Sequence, residues 1–256
     1  MFSKTSFEIG RIFGVPVKVD FSLLLVAGMF VLSYSRAMPN SPGTSLVAGL
    51  LSAAALVVAL LVHEVGHAAA ALSRSCRVHE ITLMFFGGRA VMSGLPSAPL
   101  ARAAISLAGP AAGLLLWFVA LRLSVFLGGL RILPFLLGET ARISLYLSIF
   151  NMIPALPLDG GHVLRDVLAH FKGNAFATFV VAKVSRGIAI AMGLYGIFFG
   201  GGFIMVILAF FIWASAKSEI IRAASGGDPD GLDDDVVVIS PPPYGKEKEY
   251  TRIKRR

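Results

Sequence analysis

Residues 55–72 read ALVVALLVHEVGHAAAAL, an apolar run interrupted only by His63, Glu64 and His67. It closes a longer stretch, Gly43 to Leu72, that is long enough to cross a bilayer. An α-helix turns once per 3.6 residues, so His63 and His67 fall on one face, one turn apart. Two imidazoles at that spacing can reach one metal ion, with Glu64 beside them as a general base toward water. Each of the three is costly in hydrocarbon unless it is paired, metal-bound or facing water. A purely structural polar patch is therefore the weaker explanation.

Further apolar runs lie on both sides of this one. The first spans Phe21 to Tyr34, the third Leu100 to Phe126, and a fourth begins near Ala141 and is interrupted at Pro154 and Pro157. After Lys172 the pattern blurs. Lys183 and Arg186 sit inside apolar sequence, and Gly187 to Ala216 is broken at Gly200-Gly201-Gly202, which predicts a hairpin of two short spans. The expected fold is an all-α polytopic membrane bundle of about six transmembrane helices, with a small β-hairpin element near the cytoplasmic face. Composition agrees, with 56% hydrophobic residues, 15% charged and a mean hydropathy of +0.78, against about 25% charged in soluble domains.

The flanking segments divide the chain further. Residues 1–20 are read as an N-terminal cytoplasmic or interfacial segment, 21–218 as the membrane domain, and 219–256 as a disordered cytoplasmic tail. Residues 5–21 hold β-branched and aromatic residues around Pro16, which predicts a short strand or interfacial piece. The tail runs SGGDPDGLDDD, VVVIS, then PPPYGKEKEYTRIKRR, a polar composition without means to build a core. Its PPPY is more simply a solvated polyproline stretch than a docking motif.

Charge sets the expected orientation. The net charge of +8 is concentrated in Lys4, Arg11 and Lys18 and in Lys246, Lys248, Arg252, Lys254, Arg255 and Arg256. In a membrane chain such clusters mark cytoplasmic segments rather than nucleic-acid binding. With six spans, Arg74, Arg77, Arg89 and Lys172 share the side of both termini, against Arg36 and Arg131 opposite. Both termini are thus expected in the cytoplasm of a bacterial or archaeal cell. The first apolar run lacks an A-x-A-like site, so it reads as a span rather than a cleaved signal. The single cysteine, Cys76, permits no intrachain disulfide and no multi-cysteine metal site.

A catalytic zinc takes three protein ligands and leaves a position open. His79 lies in a polar loop and His170 beside Lys172, whereas Asn151-Met-Ile-Pro-Ala-Leu-Pro-Leu-Asp-Gly-Gly-His162 places Asn151, Asp159 and His162 on a segment unwound by two prolines. Unwound backbone at membrane depth survives where it lines a cavity or water. In the six-span orientation His63 lies 9 residues before Leu72 and Asp159 11 before His170, so both are about 13–16 Å deep at 1.5 Å per residue. Asp159 is the expected third ligand, and ligation by His162 a lesser alternative.

The sequence HEVGH, followed by NMIPALPLDGGH, resembles the site-2 protease family of intramembrane zinc metalloproteases. GRIFGVPVKVDFS, FFGGRA and SLAGPAAGLL extend the likeness across most of residues 8–170. The resemblance implies that His63, His67 and Asp159 bind one Zn2+ per chain, that Glu64 activates water, and that Asn151 helps hold the substrate backbone or the developing oxyanion. The 73–99 loop is too short for the PDZ domain of many relatives, and the tail too short for their CBS pair. A single-span membrane substrate is implied, such as a transcription-factor precursor or an anti-sigma factor, together with a regulatory membrane partner. The segment Arg77–Gly94 around Gly87-Gly88 reads as a hairpin that could pair with an extended substrate strand. A membrane zinc transporter and a catalytically inactive, membrane-protein-binding relative are the rival readings.

Overall fold

The computed structural model describes residues 6–37, 40–84, 87–130, 132–199, 202–224 and 237–238. Lys4, Phe85, Phe86, Arg131, Gly200, Gly201 and the basic PPPY-containing end, all singled out above, lie outside them. The chain forms two compact units: Met1–Ala69 with Val78–Ala90 and Ala108–Ile149, and Ala70–Arg77 with Val91–Leu107 and Phe150–Arg256.

The first unit begins with β1 (Ser6–Ile12) and β2 (Val15–Asp20), an antiparallel hairpin. Its turn is Phe13-Gly14, with φ of 53° and 79°. Positive φ at both central residues matches the right-handed twist of a two-residue hairpin, and glycine adopts it freely. Pro16 lies in β2 opposite Arg11. The interfacial strand expected for residues 5–21 is thus two strands. β3 (Arg77–Met84) runs parallel to β2, with Val17, Lys18 and Val19 opposite Ile81, Thr82 and Leu83. Val17, Ile81 and Leu83 are buried. Lys18 pairs with Glu80, as does Arg89 at 3.6 Å. The sheet order is β1-β2-β3-β4-β5, where β4 is Gly87–Ser93 and β5 Val237–Val238.

The helices of this unit are α1 (Ser22–Ala37), α2 (Pro42–Leu72), most of α3 (Pro99–Phe126) and α4 (Ile132–Asn151). Asp20 Oδ1 accepts from the Ser22 N–H at 2.8 Å and caps α1. Pro42 opens α2 where its missing N–H costs nothing. Small residues let the helices approach closely. A Cβ on Gly49 would lie 2.5 Å from Val31 Cα, and one on Gly113 2.3 Å from Ser148 Oγ. Ala55, Ala59 and Ile143 are buried together against Phe30, Leu56, Leu136 and Leu147.

α4 starts at Ile132, well before the Ala141 expected, because its charges are neutralised locally. Arg142 pairs with Glu139 one turn away, and Ser52 Oγ donates to Glu139 at 3.0 Å. A hydropathy reading penalises both ions and misses the pairing.

In the second unit α4 gives way at residue 152 to a non-helical segment, and α5 (Asp159–Lys172) begins anew. Two prolines at 154 and 157 remove N–H donors there, and the Leu156–Pro157 bond is cis. The backbone is satisfied otherwise: the Leu156 N–H donates to Ser185 Oγ at 2.8 Å. The fourth span is therefore two helices, and the depth assigned to Asp159 by counting along one span does not apply. α6 (Asn174–Phe198) and α7 (Gly202–Ala224) form a helical hairpin that starts at Asn174 rather than Gly187. Lys183 Nζ lies 4.4 Å from the Phe179 ring centre and the Arg186 guanidinium 5.5 Å from that of Trp213. Aromatic faces attract these cations inside an apolar helix. Ala155, Ala189 and Ile212 make the buried centre.

By length and composition, α2, α3, α4 and α6 can each cross a membrane, and the apolar parts of α1 and α7 are shorter.

Candidate active site

The HEVGH stretch sits inside α2, roughly one and a half to two and a half turns before its end at Leu72. His63, Glu64 and His67 are only 3%, 4% and 2% exposed. The two histidines meet across one turn, as the spacing predicts: Nε2 to Nε2 is 3.2 Å, and the rings stand edge to face at 79°. Two nitrogens held by one tetrahedral zinc at about 2.0–2.1 Å stand roughly 3.3 Å apart. The observed separation fits that geometry.

Glycines make room for both groups. A Cβ on Gly109 of α3 would lie 2.1 Å from His67 Nε2, so the face of the nitrogen that would bind metal is open only because Gly109 has no side chain. A Cβ on Gly88 of β4 would lie 2.1 Å from Glu64 Cγ and 2.3 Å from its Oε1. The β4 backbone thus passes directly against the Glu64 carboxylate. In the sequence Gly109 stands out only as part of SLAGPAAGLL, and Gly88 as part of a hairpin around Gly87-Gly88. Nothing in either local pattern names the histidine or carboxylate opposite.

Asp159 is the first residue of α5 and is buried at 5% exposure. A carboxylate in a first turn is favoured by the helix dipole. The Gly160 and Gly161 that follow let this turn close onto the unwound segment: a Cβ on Gly160 would strike Met152 O at 2.3 Å, and one on Gly161 Leu156 N at 2.5 Å. Among the described residues, His63, His67 and Asp159 form a group whose ligand atoms all lie within 4.8 Å of one another. Two imidazoles and a carboxylate are a donor set suited to catalytic zinc. The residues present fit the ion.

Asn151 is the last residue of α4, half-buried, and His162, half-buried in the first turn of α5, is not a member of that group. His79 and His170 are exposed.

Sequence reading also missed an anchor of α5. Arg102 Nε lies 3.2 Å from Asp166 Oδ1, both side chains almost fully buried, and Arg102 Nη1 donates to the carbonyls of Ser97 and Pro96. The only sequence signal is a charge, Arg102, near the start of an apolar span.

The model of peptidase family M50 matches residues 51–137 and 130–195. The Synechocystis protein sll0528 is 34% identical over 234 residues, and Rip3 of Mycobacterium tuberculosis is 32% identical over 234. Zinc metalloprotease MJ0392 of Methanocaldococcus jannaschii is 28% identical over 215 residues. These alignments cover 85%, 86% and 84% of this chain, which spans 60% of the length of each relative. The solved site-2 protease from Methanocaldococcus jannaschii superposes with a TM-score of 0.60 at 26% identity, covering 83% of this chain and 94% of that one.

Proposed function

Since the chain belongs to peptidase family M50 and carries four helices able to cross a membrane, we propose that this integral membrane protein is an intramembrane zinc metalloendopeptidase. It hydrolyses peptide bonds of membrane-embedded proteins. His63, His67 and Asp159 hold one zinc ion per chain, Glu64 is the general base, and Asn151 steadies the carbonyl oxygen under attack. The observation that carries this reading is the closeness of the ligand atoms of His63, His67 and Asp159, with Glu64 buried one residue from the first of them.

Bound zinc would lower the pKa of water toward about 7 and polarise a carbonyl. The chain supplies the rest. Glu64 takes the proton from the attacking water and returns it to the leaving amine, a role that needs a carboxylate within hydrogen-bond reach. Burial raises the strength of every polar interaction around it. Asn151 offers an amide N–H donor of the kind used to stabilise an oxyanion. β4 offers an extended backbone beside Glu64, against which a substrate segment, once unwound, can be laid out as a strand.

The finer organisation follows the sequence. α1 and the apolar part of α7 join the four longer helices to make six spans, with residues 1–20 and 219–256 flanking the membrane domain at 21–218. Loop charge favours both termini on the cytoplasmic side of a cell membrane. A single-span protein such as a transcription-factor precursor or an anti-sigma factor suits the site, with a further membrane protein as regulator.

The test is cleavage of a panel of single-span substrates by purified protein, wild type beside Glu64→Gln, with zinc quantified in both. The wild type should cut and bind about one zinc, and Glu64→Gln should keep the zinc and lose about 10²–10⁴-fold in rate. Zinc binding with no cleavage, joined to zinc flux into proteoliposomes, would replace this reading with transport. Failure to bind zinc would remove the site.

A further inference from the structure

The strand beside Glu64 is already occupied at one end. Val91 and Met92 of β4 pair antiparallel with Val238 and Val237 of β5, the last strand of the sheet. β4 lies between β3 and β5, so without β5 it would be the sheet's edge. Three residues back along β4, Gly88 lies against the Glu64 carboxylate. At about 3.4 Å per residue the β5 ladder is roughly 10 Å from that contact. An extended peptide paired along the whole of β4, from Met92 to Gly88 beside Glu64, would take up the backbone donors and acceptors that β5 uses.

The sequence of this segment is suited to a brief strand. Val236 to Ile239 are four β-branched residues in a row, preceded by Asp233-Asp234-Asp235 and followed at once by Ser240 and Pro241-Pro242-Pro243. β-branched residues favour the pleated conformation, and proline cannot donate to a ladder. A strand this short pairs weakly and yields to a longer one.

We propose that Val237–Val238 is a built-in occupant of the substrate-strand site on β4, a restraint that a substrate must displace before cleavage. The inference rests on the protease reading above and adds to it the mode of substrate docking and its internal competitor. The competitor lowers apparent substrate affinity by the fraction of time it is docked and leaves the chemistry at Glu64 unchanged.

The test uses the full chain in liposomes with a single-span substrate. Val237→Pro together with Val238→Pro removes two ladder donors, and KM should fall about threefold or more with kcat and zinc content unchanged. In a Cys76→Ala background, Val91→Cys with Val238→Cys should form a disulfide on mild oxidation, whereas Val91→Cys with Val237→Cys, one residue out of register, should not. The crosslinked enzyme should lose cleavage and regain it on reduction. An unchanged KM in the proline variant, or crosslinking no better than the Val237 control, overturns the proposal. If the registered pair crosslinks but the reduced wild type cuts no substrate, the protease reading fails and the restraint falls with it, leaving only a docked strand.

Discussion

A methyl group at Gly109 would stand 2.1 Å from His67 Nε2, and one at Gly88 2.1 Å from Glu64 Cγ, so the same small change at two glycines separates ligand from base. Gly109→Ala must push the imidazole aside, and zinc affinity should drop about 10–100-fold, the range seen when the groups orienting a metal ligand are disturbed. Gly88→Ala should leave zinc affinity near wild type and cut the cleavage rate, because it displaces the carboxylate alone. Zinc competition with a chromophoric chelator, run beside a cleavage assay, distinguishes the two; loss of zinc in both variants would refute the division of roles. Cys76 offers a further test at this scale. Burial raises its thiol above the ordinary value, with Arg74 and a backbone hydrogen bond opposing. A thiol whose folded pKa is raised stabilises the fold below the ordinary thiol range, and that contribution is lost as pH rises through the folded value. Alkylation at pH 8 should therefore be slower in the native protein than in the denatured chain, and the native rate should rise at a higher pH than the denatured one. Equal rates in the two states would mean that the thiol is not protected.

At the scale of the element, α5 shows what local sequence carries and what it omits. The prolines at 154 and 157 announce a break, and the structure has one. The aspartate after the break is legible too, since Asp159 stands alone among apolar residues. What sequence does not convey is that α5 is a separate helix held by Arg102 through Asp166, 64 positions away. Long-range ion pairs leave no periodic trace. Charges misled the reading elsewhere too: Glu139 and Arg142, paired locally, made α4 look shorter than it is, and Lys183 and Arg186, which lie over aromatic rings, hid the start of α6. Removing one partner of a buried pair strands a charge. Arg165 Nη2 also lies 3.3 Å from Asp166 Oδ1 and keeps that carboxylate partly paired. Arg102→Ala should therefore destabilise the protein by less than the about 3–5 kcal/mol of a fully stranded charge, whereas Arg102→Leu with Asp166→Leu should recover most of that loss. Thermal unfolding in detergent measures both. A double variant as unstable as the single would show that the arginine's bonds to Pro96 and Ser97, not the ion pair, hold the element.

At the scale of the whole molecule, the helical spans were legible because hydrocarbon demands long apolar runs. α3 is Pro99–Phe126 where Leu100 to Phe126 was expected, and α2 is Pro42–Leu72 where Gly43 to Leu72 was expected. Sidedness is a different matter, since it is written only in loop charge. Arg74, Arg77 and Arg89 lie between α2 and α3, and Lys172 ends α5. If six spans cross the membrane, these residues and both termini share one face, and lysine and arginine hold that face in the cytoplasm. Single cysteines at Ser75 and Lys172, in a Cys76→Ala background, should react with a membrane-impermeant maleimide in inverted vesicles and stay unlabelled in intact cells. A cysteine at Gly129, between α3 and α4, should do the reverse. Were Lys172 to label from outside while Ser75 labelled from inside, one of the helices between them would not cross, and α4 with its Glu139–Arg142 pair is the one to suspect. The paired ions would then rest at an interface, and the unwound segment that leads into Asp159 would have to reach its depth from the face opposite to the one nearest His63.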